Sequence, residues 1–153
     1  MELERQSVAV LQQFGRSYRA YAAAFEQRIG LPLPRWRILH ALHQQEGAIA
    51  QKALADHVGM DPGALTRQLK AMQELGWVER STSERDNRVT HVTLSRTGQE
   101  VVARAMPLRS SFLEDVLSEV SPSTMQELSR GLARLEAGIA HAQARAAQEA
   151  GAA

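Results

Sequence analysis

"IAQKALADHVGMDPGALTRQLKAMQELGWVERS", residues 49–81, carries the signals from which the architecture can be read. It divides at Gly59–Pro62 into a short helix and a longer one. The signals for the second helix come in the right order. Asp61 can accept free backbone N–H groups of the first turn, and Pro62 suits the first helical position, where no N–H is needed. Leu75-Gly76 ends it, because glycine takes the left-handed backbone of a helix C-terminus at little cost. Within this helix Leu65, Leu69 and Met72 stand at i, i+4 and i+7 and must face a core. Gly63, Thr66, Arg67 and Lys70 then face outward. Such a face suits the wall of a DNA major groove: Gly63 permits close approach, Thr66 and Arg67 can reach base edges, and Lys70 can meet phosphate. A solvated amphipathic helix would carry the same pattern, so the flanking segments must decide.

Those segments begin with "SERDNRVTHVTLSRTG", residues 83–98. "WVERS" and "VTHVTLS" read as two β-strands, and the polar knot Glu84, Arg85, Asp86, Asn87 and Arg88 lies between them as the loop of a wing. Val92 and Leu94 share a face directed to the core, while His91 and Thr93 point the other way. A wing tip that enters a minor groove needs a long, permanent cation; Arg88 supplies it, and Arg85 is a second candidate contact. Asp86 is expected to fix the loop and aim a guanidinium through a charge-assisted hydrogen bond.

Outward from this centre the chain reads as helix. Leu11, Phe14, Tyr18, Tyr21 and Phe25 keep a 3-4-3-4 spacing that places one apolar stripe on one helical face. Gly30 and "LPLP" break that helix. Pro34 can open the next, which carries Trp36, Leu39 and Leu42 and ends near Gly47. From Gly98 to Val120 a long helix holds Val101, Ala105, Leu108, Phe112 and Val116 in register, and "SPS" at 121–123 marks the turn after it. Met125, Leu128, Leu132, Leu135, Ile139 and Ala142 form a second seam, and the alanine-rich tail continues this last helix before fraying. Two terminal seams can pack on each other within one chain, as in a bundle, or between two chains.

The 153 residues suffice for one compact domain or two small interlocked ones, with 44% apolar and 23% charged residues in the range of globular proteins. A net charge of +1 leaves the clustering of basic side chains to decide any affinity for nucleic acid. The absence of cysteine removes disulfides, thiolate metal sites and thiol switches. "MELERQSVAV" lacks the apolar core of a signal peptide, and no apolar run approaches a membrane span, so the expected location is the cytoplasm. His40, His43, His57, His91 and His141 are the material for a metal site or an enzyme. His40 and His43 could share a helical face, but no third ligand is evident nearby, so no metal or cofactor is expected. No nucleophile motif or phosphate-binding glycine loop is present, which argues against catalysis.

In three stretches, "LPRWRIL", "QKALADHVGMDPGALTRQLKAMQELGWVER" and "DNRVTHVTLSRTG", the chain resembles the MarR family of bacterial winged helix-turn-helix transcription regulators. Leu94-Ser95 stands where the family has Leu-Thr, keeping a capping hydroxyl, and Ala50 stands where it has a capping Thr. The resemblance implies a mainly α fold with a small β-wing. Residues 31–99 would form the winged helix-turn-helix domain, and 1–30 with 100–153 the dimerisation helices. It gives Asp86 and Arg88 the wing roles and places Thr66, Arg67 and Lys70 on the recognition helix, in an obligate homodimer on a pseudopalindromic site; with Gly63 and Arg85 these are the candidate DNA-binding residues. It further implies a small effector at the junction between the dimer arms and the winged domain. Arg16, Tyr18, Trp36 and His40 are the residues offered to that junction; they suit a flat anion such as an aromatic carboxylate or phenolic compound. A helical dimeric interaction protein of the same fold, without specific DNA binding, is the competing reading.

Overall fold

The computed structural model describes residues 2–151, with side chains from Arg5 onward. Met1, Ala152 and Ala153, the extreme ends of the two expected arms, lie outside the described residues. The elements are α1 (Glu2–Ile29), α2 (Leu33–Gln44), β1 (Ile49–Ala50), α3 (Gln51–Val58), α4 (Pro62–Glu74), β2 (Val78–Thr82), β3 (Thr90–Leu94), α5 (Arg96–Leu117) and α6 (Pro122–Gly151). The chain is thus mainly helical with a small antiparallel wing, as the sequence implies. No helix among the described residues is long and apolar enough to cross a membrane.

Local chemistry places the helix boundaries. The Asp61 carboxylate accepts the Ala64 N–H at 3.0 Å and caps α4, with Pro62 in its first turn. Gly59 (φ 61°) and Gly76 (φ 71°) turn the chain after α3 and α4 in the left-handed region that side chains avoid. Ala50 precedes α3 without any side-chain cap, the loss expected of alanine at that position. The Ser95 hydroxyl accepts the Gly98 N–H at 3.0 Å and so supplies the first turn of α5. The expected helix end near Gly47 falls instead at Gln44.

The sheet holds one strand more than the sequence indicates. Its order is β1-β3-β2, with Ile49 opposite Val92 and Ala50 opposite His91 on one edge, and Val78 opposite Leu94 on the other. Two residues carry no alternation of their own, so β1 exists only through its pairing with β3.

Residues up to Phe112 form one compact unit and those from Leu113 a second. The expected border at residues 99 and 100 lies inside the continuous helix α5. In the first unit Phe25, Ile38, Leu39, Leu54, Leu65, Leu69, Met72, Val92 and Val102 are fully buried. Phe25 meets Trp36 at 6.2 Å between centroids and Phe112 edge-on at 5.7 Å, tying α1 and α5 to α2. Gly98 is required where α5 crosses the chain entering β2: a Cβ there would lie 2.0 Å from the Trp77 carbonyl oxygen.

The uniform stripe read on α1 is divided in the fold. Phe25 is buried and Tyr21 half-buried, whereas Leu11, Phe14 and Tyr18 are 46–48% exposed. On α6 no residue is buried, and Met125, Leu128, Leu135 and Ile139 stand exposed along its seam.

Candidate nucleic-acid interface and adjoining cleft

Helix α4 is anchored by one face and open on the other. Leu65, Leu69 and Met72 are at 0% exposure, while Gly63, Thr66, Arg67 and Lys70 are all accessible on the opposite side. Secondary contacts hold its flanks: Arg35 of α2 donates to Gln68 at 3.2 Å, and Arg80 of β2 donates to Gln73 at 2.8 Å. Gly63 leaves room for its neighbours. A Cβ would sit 3.1 Å from the Asp61 carboxylate and 3.6 Å from the Arg67 guanidinium, which lies across the start of the helix.

Thr66 is more constrained than its exposure suggests. Its hydroxyl donates to the Pro62 carbonyl at 2.9 Å and accepts from the Gln51 side-chain amide at 2.8 Å. Gln51 escaped the sequence reading, because nothing local marks it as a partner of a residue on another helix.

In the wing, Arg85, Asp86 and Arg88 are all exposed. The Asp86 carboxylate does fix the loop, but through the main chain: it accepts the Arg88 backbone N–H at 3.0 Å. The expected aiming of a guanidinium is corrected, since the described residues hold no ion pair between Asp86 and either arginine. The reason is proximity, as an aspartate bonds the backbone two residues on at little entropic cost. Ser83 closes the other side, its hydroxyl accepting from the Arg85 and Asp86 N–H groups and its own N–H donating to the Val89 carbonyl at 2.8 Å. A groove of about 550 Å³ separates the wing base from α3 and α4, with Gln51, Lys52, Pro62 and Arg88 among its lining.

A second cleft, of about 460 Å³, opens among α1, α2, α3 and α5. Tyr18, Trp36 and His40 line it together with Tyr21, Arg37 and Arg109. Arg16 is not among its lining residues, a correction to the expected set; the cation beside the aromatic rings is Arg109, from α5. Arg109 lies 6.0 Å from the Trp36 ring centroid, and Trp36 packs on His40 at 5.3 Å. Arg37, by contrast, is engaged with the Val58 carbonyl at the end of α3. Sequence reasoning missed Arg109 because it reaches Trp36 only through the packing of α5 on α2.

The charges in this cleft influence one another. Partial burial first, then the Arg109 charge and His43, holds the His40 pKa below its ordinary 6.5. Burial raises the Tyr21 pKa, with Arg109 opposing the shift. The cleft therefore offers aromatic surface, a permanent cation and a histidine whose protonation is disfavoured.

Comparison with known proteins agrees with this geometry. The sequence model of the MarR family matches residues 31–90. An uncharacterized HTH-type transcriptional regulator of Bacillus subtilis (strain 168), YdgJ, is 29% identical over 130 residues, covering 85% of this chain and 79% of that protein. The crystal structure of a mutant MarR from E. coli, complexed with operator DNA, superposes with a TM-score of 0.76 at 18% identity, over 85% of this chain and 95% of that one. Bordetella bronchiseptica BpsR, studied for regulation of its DNA binding by 6-hydroxynicotinic acid, gives 0.73 at 20% identity, over 84% and 98%. At these identities the two structural likenesses are likenesses of fold.

Proposed function

We propose that this chain is a MarR-family winged-helix transcriptional regulator that represses by binding a pseudopalindromic operator as a homodimer, and leaves it when a small aromatic acid binds. The observation that carries the reading is the division of α4. Its apolar side is wholly buried, so its backbone is held rigidly, while Gly63, Thr66, Arg67 and Lys70 stand together on the free face. In a major groove Arg67 and Thr66 meet base edges and Lys70 meets phosphate. Arg88 reaches into the adjacent minor groove, Arg85 adds phosphate contact, and Asp86 holds the loop that carries them.

Dimerisation answers the exposed seams. Leu11, Phe14 and Tyr18 on α1, and Leu128, Leu135 and Ile139 on α6, are apolar side chains left in water. Packing residues 1–30 and 100–153 against a second copy removes them from it. A two-fold symmetric pair then presents two copies of the winged domain, residues 31–99, to half-sites about one helical turn apart.

The effector belongs in the cleft of Tyr18, Trp36, His40 and Arg109, with its ring on the aromatic side chains and its carboxylate or phenolate toward Arg109. BpsR supplies a precedent of the same fold for an aromatic acid acting on DNA binding. Release requires only that the ligand bind the DNA-incompetent spacing of the two winged domains more tightly than the competent one. No cofactor is invoked, and the cytoplasm is the compartment where such a regulator would act.

Nuclease protection of the DNA upstream of the protein's own gene, with and without added aromatic carboxylates, tests this reading. Two symmetric protected half-sites are expected, lost on adding the effector. An unprotected duplex at saturating protein would favour the interaction protein without specific DNA binding.

A further inference from the structure

The hydrogen bonds around Thr66 determine what it can offer a base. A threonine hydroxyl has one proton and two lone pairs. The Pro62 carbonyl, 2.9 Å away, can only accept, so the Thr66 proton is committed to it. Gln51 must therefore approach Thr66 with its N–H₂ group, at 2.8 Å, which fixes the amide orientation and leaves the Gln51 carbonyl oxygen free. Pinning the hydroxyl also fixes the methyl group, because both sit on one β-branched carbon. Thr66 is exposed, but its hydroxyl has no proton left to donate. Gln51 lines the same groove as Arg88, between the start of α4 and the wing.

We propose that Gln51 and Thr66 act as one reading unit, in which Thr66 presents its methyl group to a thymine methyl and Gln51 presents its carbonyl oxygen to an exocyclic amino group of adenine or cytosine. The proposal rests on the reading of α4 as the major-groove element. It assigns Thr66 apolar rather than hydrogen-bonded readout and makes Gln51, on α3, a specificity-determining residue. Turning the Thr66 hydroxyl to donate to a base would break its bonds to the Pro62 carbonyl and the Gln51 amide in exchange for one new bond, so it gains little.

The test uses full-length protein and sites that the wild type selects from a randomised pool of double-stranded DNA, at fixed salt. Deoxyuridine, which lacks only the C5 methyl, replaces each thymine of the selected site in turn. At one thymine per half-site the wild type should lose about fourfold in affinity, the value of one buried methyl group. Thr66→Val, which keeps a methyl and lacks the hydroxyl, should show the same loss. Thr66→Ser, which keeps the hydroxyl and lacks the methyl, should be indifferent to the change. Gln51→Ala should lose preference at one pair bearing an amino group, and an unaltered profile would remove Gln51 from the unit. Thermal melts of each variant confirm that the fold is kept. If the wild type selects a site that Arg67→Ala relaxes, yet Thr66→Val and Thr66→Ser relax it equally, the methyl assignment falls and the reading of α4 stands. If the wild type selects no site at all, both fall.

Discussion

Phe14→Ala should dissociate the dimer without unfolding the chain. Phe14 lies on α1, is 46% exposed, and stacks on Tyr18 of the same helix at 6.5 Å rather than joining the buried core. A phenylalanine side chain buries roughly 200 Å² when fully covered, so about 90 Å² remains for a partner to cover. At ~25 cal/mol per Å² that area contributes about 2 kcal/mol, most of which alanine gives up. A two-fold interface loses it twice, so the total is about 4 kcal/mol, or roughly a thousandfold in the dimer dissociation constant. Monomer stability should change by no more than about 0.5 kcal/mol, since no core contact is removed. Sedimentation equilibrium over a dilution series reads the first quantity, and urea denaturation reads the second. DNA binding by the variant should become steeply dependent on protein concentration. A dissociation constant within about threefold of a dimeric wild type would refute the placement of the α1 seam in the interface. A wild type that stays monomeric throughout the series would refute dimerisation itself.

Further outcomes are expected. Arg88→Ala should weaken operator binding by ~1–3 kcal/mol and leave the dimer intact, as titration beside sedimentation would establish. Arg67→Ala should relax preference at particular base pairs, whereas Lys70→Ala should lower affinity evenly and reduce the salt slope by about one; binding to a site library at several salt concentrations separates them. An aromatic carboxylate should bind with proton uptake and with affinity that rises as pH falls, because the anion favours the charged form of a His40 whose pKa the free protein depresses. Calorimetry in buffers of different ionisation enthalpy detects that proton, and Arg109→Ala should abolish most of the binding while Arg16→Ala leaves it unchanged. For the folded chain alone the sign is the opposite: the unfolded state takes up the His40 proton first, so this group's contribution to stability is lost as pH falls below 6.5. Gly98→Ala should destabilise the fold by at least ~1–3 kcal/mol in urea denaturation, since its Cβ would meet the Trp77 carbonyl oxygen at 2.0 Å and backbone must move.

Much of the candidate interface was legible in the sequence because the signals that build it are short-ranged. Asp61 and Pro62 start α4 wherever it lies, Gly76 stops it, and the spacing of Leu65, Leu69 and Met72 settles which face is buried and so which four side chains remain outside. The wing followed from two alternating runs around a polar loop. Where local reading failed, a nearer competitor existed: the Asp86 carboxylate takes the Arg88 backbone N–H rather than a guanidinium.

The helices, their caps, the wing and the free face of α4 were thus set along the chain, since all depend on backbone preferences and on periodicities within a few residues. Which side chains meet across the chain was left to the packing of the folded molecule. Packing paired Ile49–Ala50 with β3 and made them a strand. It divided the continuous stripe of α1 into a buried end at Phe25, beneath Trp36 and Phe112, and an exposed end from Leu11 to Tyr18. It put Arg109 rather than Arg16 beside the Trp36 ring, and it tied the Thr66 hydroxyl to Gln51. One cause underlies all four: a helical period specifies which residues share a face, but what that face touches depends on the docking of distant elements, where burial and partner geometry choose among side chains that look equivalent along the chain.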